Sequence, residues 1–411
     1  MDSVDFLNPW WRGRLEEDPH LARWAESPVR WVPGFVYEVE LVPYALHFLF
    51  GPRQVGKTTA LKLLVRRLVE EGRDPRSIFY YTCDLLADYR ELAEVLRDVA
   101  KLKGRWGIKS AVVILDEVTY PREWHRALKF YIDQGHFKND VLIASGSVSM
   151  YASRQVEAFP GRRGRGRDYV MYPLSFAAFA EVADVPRGAD PAAWAGRLEE
   201  LLDAYLQCGG MPPSVVTCLA RGRHDPQTWQ IFTSSLATDL ARLGRSEAYA
   251  KRLLKAVLRT APSPVSLSAL AKEAELASHK TASSYLNLLE ALYVARQIYW
   301  VDPHTLEENF KKPRKIHLLD PAMYTEVARW VGAEPPGPEA RLEAAVAMHF
   351  ARRHRVGYWR DGREIDVVVP DLALGLEVKM GKASPPGGRV GKVTYREVSK
   401  KEAASLLHSL G

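Results

Sequence analysis

The fold of this 411-residue chain is most constrained by one segment, Gly51-Pro52-Arg53-Gln54-Val55-Gly56-Lys57-Thr58, which fits the pattern GxxxxGK[ST]. An apolar run, Ala45 to Phe50, precedes this segment, and apolar residues at helical spacing follow it until Gly72. A glycine turn between a strand and a helix N-terminus directs backbone N–H groups at phosphate oxygens. The residues expected to bind a nucleotide are Gly51, Pro52, Arg53, Gln54, Val55, Gly56, Lys57, Thr58 and Thr59.

Two acids after a second apolar run complete the predicted nucleotide site. Val112 to Leu115 contains only Val, Ile and Leu, follows Ala111, and leads directly into Asp116 and Glu117. Lys57 is expected to neutralise the β- and γ-phosphates of ATP, and Thr58 and Asp116 are expected to bind Mg²⁺ through oxygen. Glu117 is expected to orient and deprotonate the attacking water, which favours hydrolysis.

The runs 45–50, 78–82, 111–115 and 141–144 alternate with helical stretches, which is typical of a parallel α/β sheet. Because the run 78–82 lies between the two motifs in sequence, we expect a sheet in which the P-loop strand and the Asp116 strand are not neighbours. The last run ends in Ser145-Gly146-Ser147. Ser147 is the predicted contact to the attacking water or the γ-phosphate.

Arginines and glycines alternate from Gly161 to Arg167. Arg162 is the candidate to stabilise charge on the γ-phosphoryl group, either in the same chain or from a neighbouring subunit of a homo-oligomer. Arg163, Arg165 and Arg167 leave a second interpretation open, in which the segment grips nucleic-acid phosphates. A solvated basic loop is the third.

The middle of the chain has the pattern of a winged helix. Helical spacing at 267–274 and 285–292 is followed by apolar strands at 294–301 and 315–319. The exposed face of the second helix is predicted to carry His279, Lys280, Ser283, Ser284 and Asn287. A wing with Phe310 would present Lys311, Lys312, Arg314 and Lys315 to phosphates. Contact with DNA and packing against a partner both remain open.

The C-terminal region carries a pattern of two acids and a lysine. Asp366 precedes an apolar strand, and Glu377 and Lys379 alternate onto one face of the next. Glu343, on a predicted helix from Ala340 to Phe350, is a further candidate ligand. These residues would suit a second Mg²⁺ and phosphodiester cleavage. A degenerate fold with an ordinary Glu377–Lys379 ion pair is the alternative.

In their order along the chain, these motifs resemble the archaeal and bacterial AAA+-like predicted ATPases that end in a PD-(D/E)xK nuclease-like domain. The resemblance rests on the P-loop, Leu115-Asp116-Glu117-Val118, Ser145-Gly146-Ser147, Gly161-Arg162 followed by Tyr172-Pro173-Leu174-Ser175-Phe176, and Gly209-Gly210-Met211-Pro212. It implies ATP hydrolysis on an ASCE-type parallel sheet, followed by a winged-helix region and the terminal domain.

Changes of pattern along the chain divide it into four predicted parts. They are a P-loop ATPase domain with an N-terminal extension (1–170), a helical linker region (171–235), a winged-helix domain (236–332) and a PD-(D/E)xK-like domain (339–411). Pro335-Pro336-Gly337-Pro338 is the predicted linker before the last part.

Composition constrains partners and compartment. A net charge of +7 permits a polyanionic partner such as DNA, and no apolar run reaches the ~20 residues of a membrane span. Cys83, Cys208 and Cys218 are widely spaced and fit neither a disulfide framework nor a zinc ribbon. We therefore expect a cytosolic Mg²⁺-dependent ATPase that acts on DNA. The alternative is a nucleotide-gated switch or scaffold that binds protein partners and carries a degenerate nuclease fold.

Overall fold

The computed structural model describes residues 2–146, 159–222, 226–383 and 387–411. These residues form two compact units, Met1–Tyr172 and Pro173–Gly411. None of the helices among them is both long and apolar enough to span a bilayer.

The N-terminal unit alternates strands and helices. Its helices are α1 (Asp2–Phe6), α2 (Pro19–Glu26), α3 (Phe35–Glu38), α4 (Lys57–Glu70), α5 (Tyr89–Arg105) and α6 (Trp124–Asp133). Its strands are β1 (Ala45–Phe50), β2 (Ile78–Thr82), β3 (Val112–Asp116), β4 (Val141–Ser145) and β5 (Asp168–Val170). Strands β1, β3 and β4 are buried along their whole length, which explains why they contain almost only apolar residues.

The sheet of this unit has the order β2-β3-β4-β1-β5, and all of its pairs are parallel. Strand β4 therefore separates β1 from β3, which confirms that the two motif strands are not neighbours. Because the strands are parallel, their carboxyl ends meet at one edge of the sheet. The P-loop after β1 and the acids after β3 lie at this edge.

The N-terminal extension packs on the outer strand β2. The side-chain amide of Asn8 donates to the carbonyl of Tyr80 at 2.9 Å and accepts from its N–H at 2.7 Å, as a neighbouring strand would. The indole N–H groups of Trp10 and Trp11 both donate to the carbonyl of Ile78. The extension thus satisfies backbone groups that an edge strand leaves open.

The C-terminal unit begins with helices and ends with a sheet. Its helices are α7 (Phe176–Val182), α8 (Ala195–Cys208), α9 (Pro212–Arg221), α10 (Pro226–Arg242), α11 (Glu247–Thr260), α12 (Leu267–Glu273), α13 (His279–Ala291), α14 (Met323–Val331), α15 (Pro338–Phe350) and α16 (Lys400–Ser409). Its strands are β6 (Ala295–Val301), β7 (Glu308–Asn309), β8 (Lys315–Leu318), β9 (Gly357–Asp361), β10 (Arg363–Val369), β11 (Leu374–Lys379), β12 (Gly388–Val390) and β13 (Val393–Ser399).

One eight-stranded sheet runs through this unit. Its order is β12-β13-β11-β10-β9-β6-β7, and β8 pairs with the first half of β6. Helices α12 and α13 and the antiparallel pair β6–β8 occur in the order that the winged-helix pattern predicts. Strands β6 and β9 pair in parallel, although one precedes and the other follows the predicted linker at residues 335–338.

A disulfide joins Cys208 at the end of α8 to Cys218 in α9. The expectation that the cysteine pattern does not form a disulfide is therefore wrong for this pair. The reason is the turn at Gly209, whose φ of 71° turns α9 back so that the two Cα atoms lie 6.2 Å apart. Cys83 is a free, buried thiol.

Candidate functional site

The P-loop is held in a conformation that requires glycine. Gly51 and Gly56 have φ angles of 150° and 92°, and a Cβ at Gly51 would lie 2.3 Å from the carbonyl oxygen of Met171. Helix α4 starts at Lys57, so the free N–H groups of its first turn lie at the loop. The Lys57 ammonium donates to the carbonyls of Gly51 at 3.1 Å and Pro52 at 3.0 Å. The loop thus brings together the positive end of the α4 helix dipole and the Lys57 ammonium.

The Asp116 carboxylate is the centre of the site, and it is 1% exposed. Its Oδ2 accepts from the hydroxyls of Thr58 at 2.6 Å and Tyr80 at 2.9 Å. Its Oδ1 accepts from the Ser145 hydroxyl and, at 3.1 Å, from the Glu117 N–H. The carboxylate lies on β3, and its hydroxyl donors come from β2, β4 and α4. Donors from three separate elements therefore fix its orientation.

Thr58 and Asp116 are the two residues predicted to bind Mg²⁺, and the structure brings them together. A hydroxyl oxygen 2.6 Å from a carboxylate oxygen, at the start of a P-loop helix, is a donor set that a hard cation prefers. These residues fit the metal that an ATPase of this kind uses. Glu117, at a φ of 51°, lines the same cavity of about 390 Å³ as Thr58 and Asp116.

Behind Asp116, a buried ion pair fixes the N-terminal extension to α4. Lys62 Nζ lies 2.9 Å from Asp18 Oδ2, and both side chains are nearly inaccessible at 3% and 2%. The same ammonium lies 3.4 Å from the centre of the Tyr80 ring. Burial lowers the pKa of Lys62 below its ordinary value, and the nearby Asp18 carboxylate offsets only part of this shift. The tyrosine that donates to Asp116 is therefore held by the N-terminal extension.

Sequence reasoning missed Tyr80 and the Asp18–Lys62 pair. The sequence does contain one signal, because Lys62 falls between Leu61 and Leu63 on the buried part of α4. A lysine at such a position requires a partner. Nothing in the sequence identifies Asp18 as that partner.

Ser147, the predicted contact to the γ-phosphate, lies outside the described residues. Ser145, from the same triplet, is buried, and its hydroxyl both donates to Asp116 and accepts from the Glu117 N–H at 3.0 Å. The part of the triplet that the structure describes therefore contacts the two acids.

The arginine segment runs along β1 from its amino end, where Arg162 and Gly164 lie, to Phe48, where Arg167 lies. Gly164 forms a bridge with Ala45, and Arg162 Nε lies 2.7 Å from Asp133 Oδ1 at the end of α6. The distance from Ala45 to Phe50 is roughly 16 Å along the strand. The structure thus does not bring Arg162 to the P-loop of its own unit. Arg53, inside the loop, donates to the Tyr120 hydroxyl at 3.3 Å.

The C-terminal candidates lie on three elements: Glu343 on α15, Asp366 on β10, and Glu377 with Lys379 on β11. Lys379 Nζ is 2.7 Å from Glu377 Oε1, so these two residues share a face. Glu343 and Asp366 instead bind Lys315. Among the residues that the structure describes, no three His, Cys, Asp or Glu side chains form a metal-binding group. The arrangement does not fit the second Mg²⁺.

Lys315 is not a phosphate contact on the wing, and that expectation is wrong. Its side chain is 1% exposed, because it is the first residue of β8 and faces the terminal sheet. Lys311 and Lys312 are exposed as expected.

Two family models match parts of the chain. The model of an AAA domain matches residues 44–180, and the model of a domain of unknown function, DUF8612, matches residues 199–334. With the parallel sheet order and the P-loop, the first match defines the N-terminal unit as an AAA+-like P-loop ATPase fold. No curated protein matches the sequence.

Solved structures with partial similarity include the Walker-type ATPase PABY2304 of Pyrococcus abyssi, at 14% identity and a TM-score of 0.45, covering 69% of this chain and 90% of that one. The ORC2 protein of Aeropyrum pernix, in ADPNP–ADP complexes, has 12% identity and a TM-score of 0.39, with 64% and 91% covered. The ORC1 protein of Aeropyrum pernix in complex with DNA has 13% identity and a TM-score of 0.32, with 76% and 91% covered.

Proposed function

We propose that the chain is a Mg²⁺-dependent ATPase that binds and hydrolyses ATP and acts on DNA through its C-terminal unit. The observation that carries the proposal is the 2.6 Å contact between Thr58 and Asp116 at the start of α4, beside the Lys57 ammonium. A triphosphate needs cationic donors and a metal-binding acid at one place, and these residues supply both.

In this proposal each residue of the site has a separate role. The P-loop N–H groups and Lys57 bind the phosphates, and Lys57 exchanges its carbonyl partners for β- and γ-phosphate oxygens. Thr58 and Asp116 hold Mg²⁺, which neutralises charge on the phosphates when bound. Glu117 accepts a proton from the attacking water, and Ser145 keeps the two acids in place. Ser147 stays the proposed contact to the γ-phosphate.

Arg162 enters the mechanism only through an oligomer. Its pairing with Asp133 and its position at the amino end of β1 separate it from its own P-loop. A contact between Arg162 and the γ-phosphate therefore requires a neighbouring copy of the chain. The alternative, in which the segment from Gly161 to Arg167 binds nucleic-acid phosphates, predicts a steep dependence on salt.

DNA binding is proposed for the region of α12, α13, β6 and β8, as a winged helix. Lys311 and Lys312 are exposed beside Phe310, whose side chain is 61% exposed. Cations beside an accessible ring suit a phosphate backbone and an unstacked base.

A second candidate function is a nucleotide-gated switch that binds a protein partner. The exposed part of α13 favours this candidate, because Lys280 is flanked there by His279 and by uncharged polar residues. Asn287 on the same face is used internally, since it accepts from Gln297 at 3.0 Å. A recognition helix with so little positive charge is a poor phosphate contact.

The experiment that separates the two candidates measures ATP turnover of the full chain at two salt concentrations. Turnover is measured without DNA, with duplex DNA and with single-stranded DNA. Stimulation that weakens at high salt supports the DNA proposal. Absence of stimulation by either DNA contradicts it and leaves the switch.

A matched pair of variants tests the wing. Lys311→Ala/Lys312→Ala is expected to keep basal turnover, to weaken DNA binding and to lower the salt slope by about 2, one for each phosphate contact. Lys401→Ala, at an exposed site on α16, is the control and is expected to leave the slope unchanged. An unchanged slope in the double variant would place the DNA contact elsewhere.

A further inference from the structure

Three carboxylates of the C-terminal unit meet at one point, and a lysine ammonium occupies it. Lys315 Nζ lies 2.8 Å from Glu343 Oε1, 2.7 Å from Glu364 Oε1 and 3.1 Å from Asp366 Oδ1. The lysine comes from β8, one glutamate from α15, and the other two acids from β10. The ammonium donates hydrogen bonds to Glu343 Oε1 and Asp366 Oδ1, and its contact with Glu364 Oε1 is an ion pair.

The ammonium is buried and charged. The Lys315 side chain is 1% exposed and that of Glu343 is 6% exposed. Burial alone would lower the pKa of Lys315, but Glu343, Asp366 and Glu364 together raise it above its ordinary value. The lysine therefore keeps its proton at neutral pH.

Three further carboxylate oxygens at and beside the predicted nuclease site also have partners. Asp366 Oδ2 accepts from the Val378 N–H at 2.9 Å, so both oxygens of this acid are used. Glu377 Oε1 pairs with Lys379, and Glu364 Oε2 lies 3.6 Å from Arg360 Nε. Within the described part of the chain, Glu377 Oε2 is buried without a hydrogen bond and lies 3.9 Å from Arg363 Nε. A divalent cation held by Glu343 and Asp366 would have to occupy the place where the ammonium lies.

We propose that Lys315 is a fixed cation that takes the place of a metal ion at the Glu343–Glu364–Asp366 centre, so that the terminal domain has no metal-dependent nuclease activity. The lysine instead fastens β8 to α15 and β10. This role is independent of ATP hydrolysis by the N-terminal unit. It makes the centre a structural ion cluster.

The proposal is tested by thermal unfolding of the full chain with and without Mn²⁺, in the absence of nucleotide. The wild type and Asp366→Asn are expected to respond identically to Mn²⁺, because neither binds it at this centre. Lys315→Ala is expected to melt at a lower temperature and to bind Mn²⁺ at least about tenfold more tightly than the wild type, because the carboxylates are then free. Lys315→Ala/Asp366→Asn is expected to lose that gain.

Two results overturn the proposal. One is a Mn²⁺-induced shift, or Mn²⁺-dependent cleavage of plasmid DNA, that the wild type shows and Asp366→Asn lacks. The other is a folded Lys315→Ala variant that binds Mn²⁺ no better than the wild type. If Lys315→Ala does not fold, the comparison of the wild type with Asp366→Asn still decides, since it needs no change at the lysine.

Discussion

Asp116 in the N-terminal unit and Asp366 in the C-terminal unit both stand at a strand of a sheet, but their hydrogen-bond donors differ. The bonds described at Asp116 come from neutral groups, three hydroxyls and one backbone N–H. Asp366 accepts from a backbone N–H and from the charged ammonium of Lys315. Neutral donors orient a carboxylate without cancelling its charge, whereas an ammonium cancels it.

The difference shows why a motif of acids is insufficient to predict a metal site. Both regions have acids at the spacing that metal-dependent chemistry uses. Whether an acid is available to a cation depends on which donor the rest of the fold has already brought to it. The first centre is the proposed site of Mg²⁺, whereas the acids of the second already surround the Lys315 ammonium.

The largest effect is expected from Glu117→Gln, which tests the first half of the comparison. Removing the proposed base should lower ATP turnover by about 10²- to 10⁴-fold, because an amide cannot accept the proton from water. ATP affinity should stay near that of the wild type. Single-turnover hydrolysis and equilibrium nucleotide binding measure the two quantities, and Glu123→Gln, an exposed site nearby, is the control. Unchanged hydrolysis would remove Glu117 from the mechanism.

Lys315→Met tests the second half. Three carboxylates would lose their common cation, and we expect the free energy of unfolding to fall by roughly 3–5 kcal/mol. Lys312→Met, an exposed site three residues earlier, should change it by less than about 0.5 kcal/mol. Chemical denaturation followed by tryptophan fluorescence gives both values. Equal losses in the two variants would show that Lys315 is an ordinary surface cation.

A pH titration tests whether another buried polar group of the C-terminal unit, His349, is held in one protonation state. His349 accepts from the Phe176 N–H at 2.8 Å, and burial lowers its pKa to about 3. Below pH 6.5 this histidine binds a proton in the unfolded chain but not in the folded chain, so the free energy of unfolding falls as the pH falls. The expected slope is about 1.4 kcal/mol per pH unit between pH 6 and pH 4.

The control for this titration is His349→Gln, in which the contribution of the histidine to the slope should disappear. Exposed His304 provides a matched comparison. If His349→Gln and His304→Gln lower the slope equally, the burial of His349 has no consequence for protonation.

The smallest effect is expected from Tyr80→Phe, which removes one neutral donor from Asp116. The carboxylate should lose part of its orientation, and the Mg²⁺ concentration for half-maximal turnover should rise about tenfold. Tyr81→Phe, on the opposite face of β2, is the control. An equal change in the two variants, or a loss of turnover that Mg²⁺ does not rescue, would contradict a role for Tyr80 through the metal-binding acid.

Local patterns predicted the P-loop and the acids after the buried strand because these parts are local. The glycines, Lys57 and Thr58 are contiguous, and the buried strand before Asp116 is a continuous apolar run. The sequence also predicted that the P-loop strand and the Asp116 strand are not neighbours, and β4 does lie between β1 and β3.

The remaining features depend on pairs that are distant in sequence. Lys62 with Asp18, and Lys315 with Glu343, are joined only when separate elements pack. In a run such as Lys311-Lys312-Pro313-Arg314-Lys315, composition predicts an exposed basic wing. The pairing of β6 with β8 decides instead which lysine turns inward. The Cys208–Cys218 disulfide was missed for a different, local reason, because it depends on the turn at Gly209.

The shared sheet of the C-terminal unit determines where this chain can be cut. The end of β6 pairs with β9, which lies beyond the prolines at 335–338. A fragment that stops at those prolines would expose the backbone of Tyr299 and Trp300 along an unprotected strand edge, and it would also lose the acids that hold Lys315. Truncations at that apparent linker should therefore yield aggregating protein, whereas a fragment from residue 173 to the C-terminus retains the whole sheet.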